Sequence, residues 1–295
     1  MPSKVRNLFR PLFNRLEAAG FWCVRTILYA RGRDVTESIS GERVLVIAPH
    51  EDDEVLGAGV TVLRLVERGK TVHITVVTDG RNSHTSPKIS KDELAAMRKE
   101  EMIHACGLLG VPPDRVYFGP CEDRFVGDQM DKAESFLRDL IQRIQPDLVI
   151  SPSGIDRHFD HQCIARITAK LANEGVITCP VYEYPVWFYS IRSWINLDRI
   201  TPAMLFNMFW KPLRAAFTLP SVLVRTDGYL DRKRKALDAH KSQMVNLTGE
   251  PTWLVLPEDW LKSFFTRYEM FFPLRVIKPS RPQATAAPTR EEAHV

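Results

Sequence analysis

The chain has 295 residues, 44% hydrophobic and 26% charged, with a formal net charge of +4. Residues 1–33 hold seven basic side chains against Glu17, so the remainder is slightly acidic, and a general basic face for nucleic acid is excluded. The five cysteines are odd in number and form no CxxC pair, which excludes a cysteine metal site and points to reduced thiols in a cytoplasmic setting.

Residues 1–40 form a basic arm in which Leu8, Phe9, Leu12, Phe13, Phe21 and Trp22 alternate with Lys and Arg. Charge interrupts it every few residues, so neither a signal peptide nor a spanning helix fits. The arm reads either as an amphipathic element on an anionic membrane surface or as a helix packed on its own domain. A domain over residues 41–278 follows. Residues 43–48 are an apolar run of strand length, 55–68 a helix, 71–78 a strand and 91–109 a helix, with the polar segment 81–90 as a rim. Next come a short strand at 116–118, a helix at 129–143, a strand at 148–151, a helix at 161–172 and an aromatic-rich strand at 181–188. Strands alternating with helices predict an α/β fold, a Rossmann-like three-layer sandwich with a mostly parallel central sheet. Residues 190–220 break the pattern with Trp194, Met204, Phe206, Trp210 and Phe217 among Pro202, Pro212 and Pro220. This apolar insertion is either a lid or groove for a lipid-bearing substrate or a cover for the sheet edge. A return strand at 222–224 and helices at 230–244 and 258–268 complete the domain, and 279–295 reads as a disordered tail.

Chemistry concentrates at two strand ends. Pro49-His50-Glu51-Asp52-Asp53-Glu54 follows the first strand, and His158-Phe159-Asp160-His161 follows the strand at 148–151. Open α/β sheets place ligands at the carboxyl ends of their strands. So much negative charge in one turn calls for a counter-charge, and a divalent cation supplies it. In a starting helical turn His50 and Asp53 point to the same side while Asp52 is rotated away. His158 and His161 repeat the three-residue spacing, so one imidazole can ligate while the other stands beside the metal. A His, Asp, His set suits zinc with an open position for water. Asp52 is the expected general base, His158 the partner of a developing oxyanion, and Asp160 the group that orients His158. Glu54 also fits an ordinary first-turn carboxylate favoured by the helix dipole. Gly57 and Gly59 suggest a dinucleotide loop, but the acidic turn would repel phosphate.

These residues resemble the PIG-L or LmbE-like family of zinc-dependent N-acetylglucosaminyl deacetylases, whose hallmarks are an Ala-His-Pro-Asp-Asp-Glu turn and a later His-Pro-Asp-His segment. Val76-Val77-Thr78-Asp79-Gly80, Arg98 and Glu101 before Leu109-Gly110-Val111, and Ala239-His240-Lys241-Ser242-Gln243 extend the resemblance over roughly residues 43–245. It implies that His50, Asp53 and His161 ligate Zn2+, that Asp52 is the base, and that His158 and Asp160 serve the oxyanion. Glu54, Arg98 and His240 are expected to contact substrate. The chain departs from the family at Glu51 and Phe159, where proline is usual, and Glu51 is expected to face solvent.

The expected function is zinc-dependent removal of acetyl from an N-acetylated amino sugar, carried on a nucleotide, lipid or glycan precursor. The alternatives are an amidase for another acylated amine or a thiol-sugar conjugate, and a non-catalytic metal-binding protein at the membrane. The expected partner is the amino sugar, and the expected location is the cytoplasm or the inner face of the membrane.

Overall fold

A computed structural model of the chain describes residues 19–189 and 202–275. An eight-stranded sheet runs β1 (Arg33–Asp34), β7 (Val222–Arg225), β8 (Tyr268–Pro273), β6 (Val181–Tyr184), β5 (Leu148–Pro152), β2 (Arg43–Ala48), β3 (Thr71–Thr78), β4 (Val116–Cys121). Every neighbouring pair is parallel except those made by β8, which runs antiparallel to β6 and β7. The sheet is thus mostly parallel.

The period-2 geometry of β2 sends Val44 and Val46 into one core and Leu45 and Ile47 into the other. A strand buried on both faces reads as a continuous apolar run, as 43–48 does. On the first face lie α2 (Asp53–Glu67), α3 (Lys91–Leu108) and α7 (Leu230–Leu237); on the second lie α4 (Met130–Ile144) and α5 (Phe159–Asn173). The result is the expected three-layer sandwich.

Helix α2 lies so close to the sheet that a Cβ on Gly57 would fall 2.1 Å from the Tyr184 ring. Gly57 therefore serves close packing. The Val60 N–H, in the middle of α2, donates to Glu269 Oε1 at 2.8 Å. Lys233 Nζ donates to the Leu56 carbonyl at 2.9 Å and pairs with Glu269 at 2.8 Å. This fully buried pair pins α7 and β8 to the helix that begins at the acidic turn.

Several elements differ from the sequence reading. The expected helix at 258–268 is a single turn, α9 (Glu258–Leu261), followed by β8, whose Glu269 to Phe272 are all buried and so lack the alternation that marks a half-buried strand. The helix at 230–244 breaks after Leu237 and resumes as α8 (Lys241–Met244). The strand at 181–188 stops at Tyr184, ahead of Pro185, and a 3-10 turn follows at Trp187–Tyr189.

The fold also starts before residue 41. A helix over residues 19–31, α1, buries Phe21, Val24 and Leu28, and β1 pairs with β7. The apolar face of this part of the arm is turned into the domain. Within the expected insertion, Pro202–Thr218 form helix α6. Residues 1–18 of the arm, 190–201 of the insertion and the tail 279–295 lie outside the described residues. Among the described residues no helix is long and apolar enough to cross a membrane.

Candidate active site

Strand β2 ends in a turn held from three sides. Thr78 of β3 donates to the Pro49 carbonyl through its backbone N–H (3.1 Å) and its hydroxyl (2.8 Å). Arg98 of α3 donates through Nη2 to the Glu51 carbonyl at 2.7 Å, and its Nε lies 3.1 Å from Glu51 Oε2. Glu54 Oε2 accepts the Asp52 N–H at 3.0 Å. So braced, Asp52 adopts φ 123°, a conformation that side-chain-bearing residues rarely take and that costs on the order of 1–3 kcal/mol.

The turn brings His50 and Asp53 to the end of α5. Asp53 Oδ2 lies 3.2 Å from His50 Nδ1 and 3.2 Å from His161 Nε2, so one carboxylate oxygen joins the three expected ligands. His161 Nδ1 is held by Asp156 Oδ2 at 3.1 Å, and the same oxygen accepts the Val186 N–H. The bond to Asp156 orients the ring and leaves Nε2 facing the centre. His158 stands beside both rings, 4.7 Å from His50 and 5.1 Å from His161 between centroids.

Asp160 does not take the place expected for it behind His158. Its Oδ2 lies 3.1 Å from His50 Nε2, and its carboxylate accepts the N–H groups of Arg124 (2.9 Å) and Val126 (3.3 Å). The first turn of α5 points Asp160 back onto the 124–126 loop, so it orients His50 and leaves Nδ1 to face Asp53. Asp123, which follows β4, approaches the same His50 Nε2 at 3.3 Å. Glu51 does not face solvent either: it is 1% exposed and paired with Arg98. Arg98, Glu54 and His240 are 1%, 0% and 0% exposed, beneath the site rather than on a wall that substrate reaches. His240 Nε2 lies 2.9 Å from Glu54 Oε1, so His240 supports the carboxylate that holds Asp52. Glu101 anchors the same segment by accepting the N–H and hydroxyl of Ser242.

Asp123 and Asp156 were missed by sequence reasoning. Both sit just past a strand end, at the edge where the fold collects ligands, and that position was the available signal.

The electrostatics follow from packing these groups out of water. Burial and the neighbouring Asp53 charge push Asp52 up to about 8. Burial also opposes ionisation of Asp53, but the charges of and bonds from His161 and His50 win and hold its carboxyl far below the usual range. Burial is likewise outweighed at His161, raised to about 9 by Asp53 and Asp156, and at His50, raised by Asp123, Asp160 and Asp53. At His158 the charges of Asp160 and Asp53 are outweighed. Burial and the two neighbouring imidazolium charges push it down to about 3.

These residues fit a divalent cation. The nitrogens of His50, His158 and His161 can lie within 4.8 Å of one another, as can donor atoms of His50, Asp123 and Asp160. His158 Nδ1 is a buried nitrogen without a hydrogen-bond partner, which a metal or a substrate group would satisfy. Imidazole and carboxylate donors with a braced outer layer are the set zinc takes.

Residues 45–172 match the family described as PIG-L: GlcNAc-PI de-N-acetylase. The chain is 27% identical over 206 residues to a probable N-acetyl-alpha-D-glucosaminyl L-malate deacetylase 2 of Bacillus cereus, covering 68% of this chain and 83% of the relative. It is 26% identical over 243 residues to a 1D-myo-inositol 2-acetamido-2-deoxy-alpha-D-glucopyranoside deacetylase of Rhodococcus erythropolis, covering 70% and 82%. Its fold resembles that of the N,N'-diacetylchitobiose deacetylase of Pyrococcus horikoshii, with a TM-score of 0.58 at 21% identity over 92% of this chain and 96% of that one. The match to the PIG-L family runs from β2 into α5, so it spans both strand-end clusters that converge on one centre.

Proposed function

We propose that this protein is a zinc-dependent hydrolase that removes the acetyl group from an N-acetylated amino sugar. The observation that carries the reading is the convergence of His50, Asp53 and His161 on one carboxylate oxygen, next to Asp52 in a strained conformation. Names of relatives support the substrate class, since those from Bacillus cereus and Rhodococcus erythropolis are deacetylases of glucosaminyl compounds. Purely structural binding of a metal gives no reason for the strain at Asp52.

His50, Asp53 and His161 would hold the ion. Bound there, zinc supplies Lewis acidity, which lowers the pKa of water and polarises a carbonyl. Asp52, beside the ligands but not one of them, takes the proton of the attacking water on its carboxylate and returns it to the leaving amine. Burial and the Asp53 charge raise its basicity above that of an ordinary carboxylate, toward the range in which a proton acceptor works best. His158 faces the centre as a neutral imidazole and donates an N–H to the oxygen that gains charge as the acetamide carbonyl becomes tetrahedral. Glu54, Arg98, His240 and Asp160 hold these groups in place, and the sugar contacts the rim above them.

The test is acetate release by the zinc-loaded protein from a panel of N-acetylglucosaminyl malate, inositol and oligosaccharide compounds. Release from at least one, abolished by chelation and restored by zinc, is the expected result. A metal-loaded protein that leaves the whole panel intact would overturn the reading. A second reading, hydrolysis of a longer acyl group, gains from Phe125 and Phe159, 45% and 56% exposed beside Asp160. Comparing acyl chains of increasing length on one amine separates the two.

A further inference from the structure

Helix α6 carries an aromatic stripe that nothing in the described residues covers. Phe206, Trp210 and Phe217 are 63%, 50% and 52% exposed. At 100° per residue they fall within about 40° of one another around the helix, so they form a single line along its outer side. Phe206 and Trp210 stack with ring centres 6.0 Å apart. The inner side is occupied by Ala215 and Ala216, both buried against the domain.

The charges around the stripe have one sign. Pro202–Thr218 contain no Asp or Glu, and Lys211 and Arg214 are exposed on the flank of the stripe. From the neighbouring α1, the Arg31 guanidinium sits 5.7 Å from the centre of the Phe217 ring. Helix 19–31 contains no acidic residue either. A second copy of the chain would set Lys211, Arg214 and Arg31 against their own equivalents across a two-fold axis, so self-association through this face is disfavoured. Trp and Phe in a line with Lys and Arg alongside is instead the chemistry of a helix lying in the headgroup region of an anionic bilayer.

We propose that the outer face of α6, with Arg31 beside it, is a docking surface for an anionic lipid bilayer. The surface sits at the β1–β7 end of the sheet, away from the turn after β2, and tethers the protein without contributing to the metal centre. It differs from the arm-based contact in using a helix between β6 and β7.

The test is co-sedimentation of the full chain with vesicles of phosphatidylcholine, with and without phosphatidylglycerol. Binding to the anionic vesicles is expected, falling about tenfold or more on neutral ones and at raised salt. The double variant Phe206→Ser/Trp210→Ser should lose about tenfold in partitioning, and Lys211→Glu/Arg214→Glu should lose the preference for anionic lipid. Thermal melts of both should match the parent, because the altered side chains are exposed. The proposal is overturned if the chain does not bind anionic vesicles or if both variants bind as the parent does. It is equally overturned if binding follows substitution of Lys4, Arg6, Arg10 and Arg15 alone, or if the parent is a dimer that the aromatic variant dissociates. Acetate release plays no part in this readout, so its outcome is independent of the proposed reaction.

Discussion

Loading the metal-free protein with zinc at pH 7 is expected to expel about two protons from His50 and His161 and most of a third from Asp52, which must ionise to act as the base. Burial alone would keep both imidazoles neutral, but Asp123, Asp160 and Asp53 hold His50 well above its ordinary value, and Asp53 and Asp156 hold His161 near 9. Both rings are therefore cationic at pH 7, and each must lose its proton to ligate. A divalent ion then replaces two positive charges with two. His158, pushed down to about 3, contributes none. The two rings accordingly make the apparent affinity rise by up to ~100-fold per pH unit below neutrality, and ionisation of Asp52 steepens the rise, which levels off as these groups deprotonate. Stability of the metal-free protein moves the other way. The His161 contribution is fully present below the unfolded value near 6.5 and is lost as pH rises through about 9. Titration calorimetry in buffers of differing ionisation enthalpy reads the protons directly, and melts of metal-free protein from pH 6 to pH 9 read the stability. A pH-independent affinity with no proton release would refute the charge assignment.

The buried Lys233–Glu269 pair gives a second prediction: Lys233→Met should cost about 3–5 kcal/mol in urea denaturation by leaving the Glu269 carboxylate without its counter-charge. Lys233→Met/Glu269→Leu should recover part of that loss, and a single variant as stable as the parent would contradict the pairing. Gly57→Ala should destabilise by about 3 kcal/mol, because its methyl would meet Tyr184 at 2.1 Å. A loss below ~1 kcal/mol would mean that α2 shifts freely on the sheet. Glu51→Gln leaves Arg98 buried beside an uncharged amide and should lower stability by about 3 kcal/mol. An unchanged melting temperature would show that the Glu51 carbonyl satisfies Arg98 without the Glu51 carboxylate.

Much of the architecture was legible because periodicity carries it. Residues 43–48 read as a doubly buried strand, and the strand-end rule then placed His50 and His161 at one edge of the sheet. What local pattern could not show was who faces whom. Asp160 follows His158 by two residues, yet the loop at 124–126 captures its carboxylate and turns it to His50. Glu51 looked like a surface residue until Arg98, forty-seven residues on, was seen to accompany it into the interior. Arg98 and His240 drew notice through resemblance, but only burial shows that they brace the turn from beneath. The continuous burial of Glu269 to Phe272 concealed an antiparallel strand for the same reason that it made 43–48 easy: burial on both faces erases alternation.

The account turns on Asp52 as the proton carrier beside a metal that other residues hold. The decisive measurement pairs zinc affinity with acetate release for Asp52→Asn, whose side chain keeps the shape and tolerates the positive φ. Zinc affinity within a few-fold of the parent, with turnover lowered about 10²–10⁴-fold, is the predicted result. A variant that binds zinc and still releases acetate at the parental rate would contradict it.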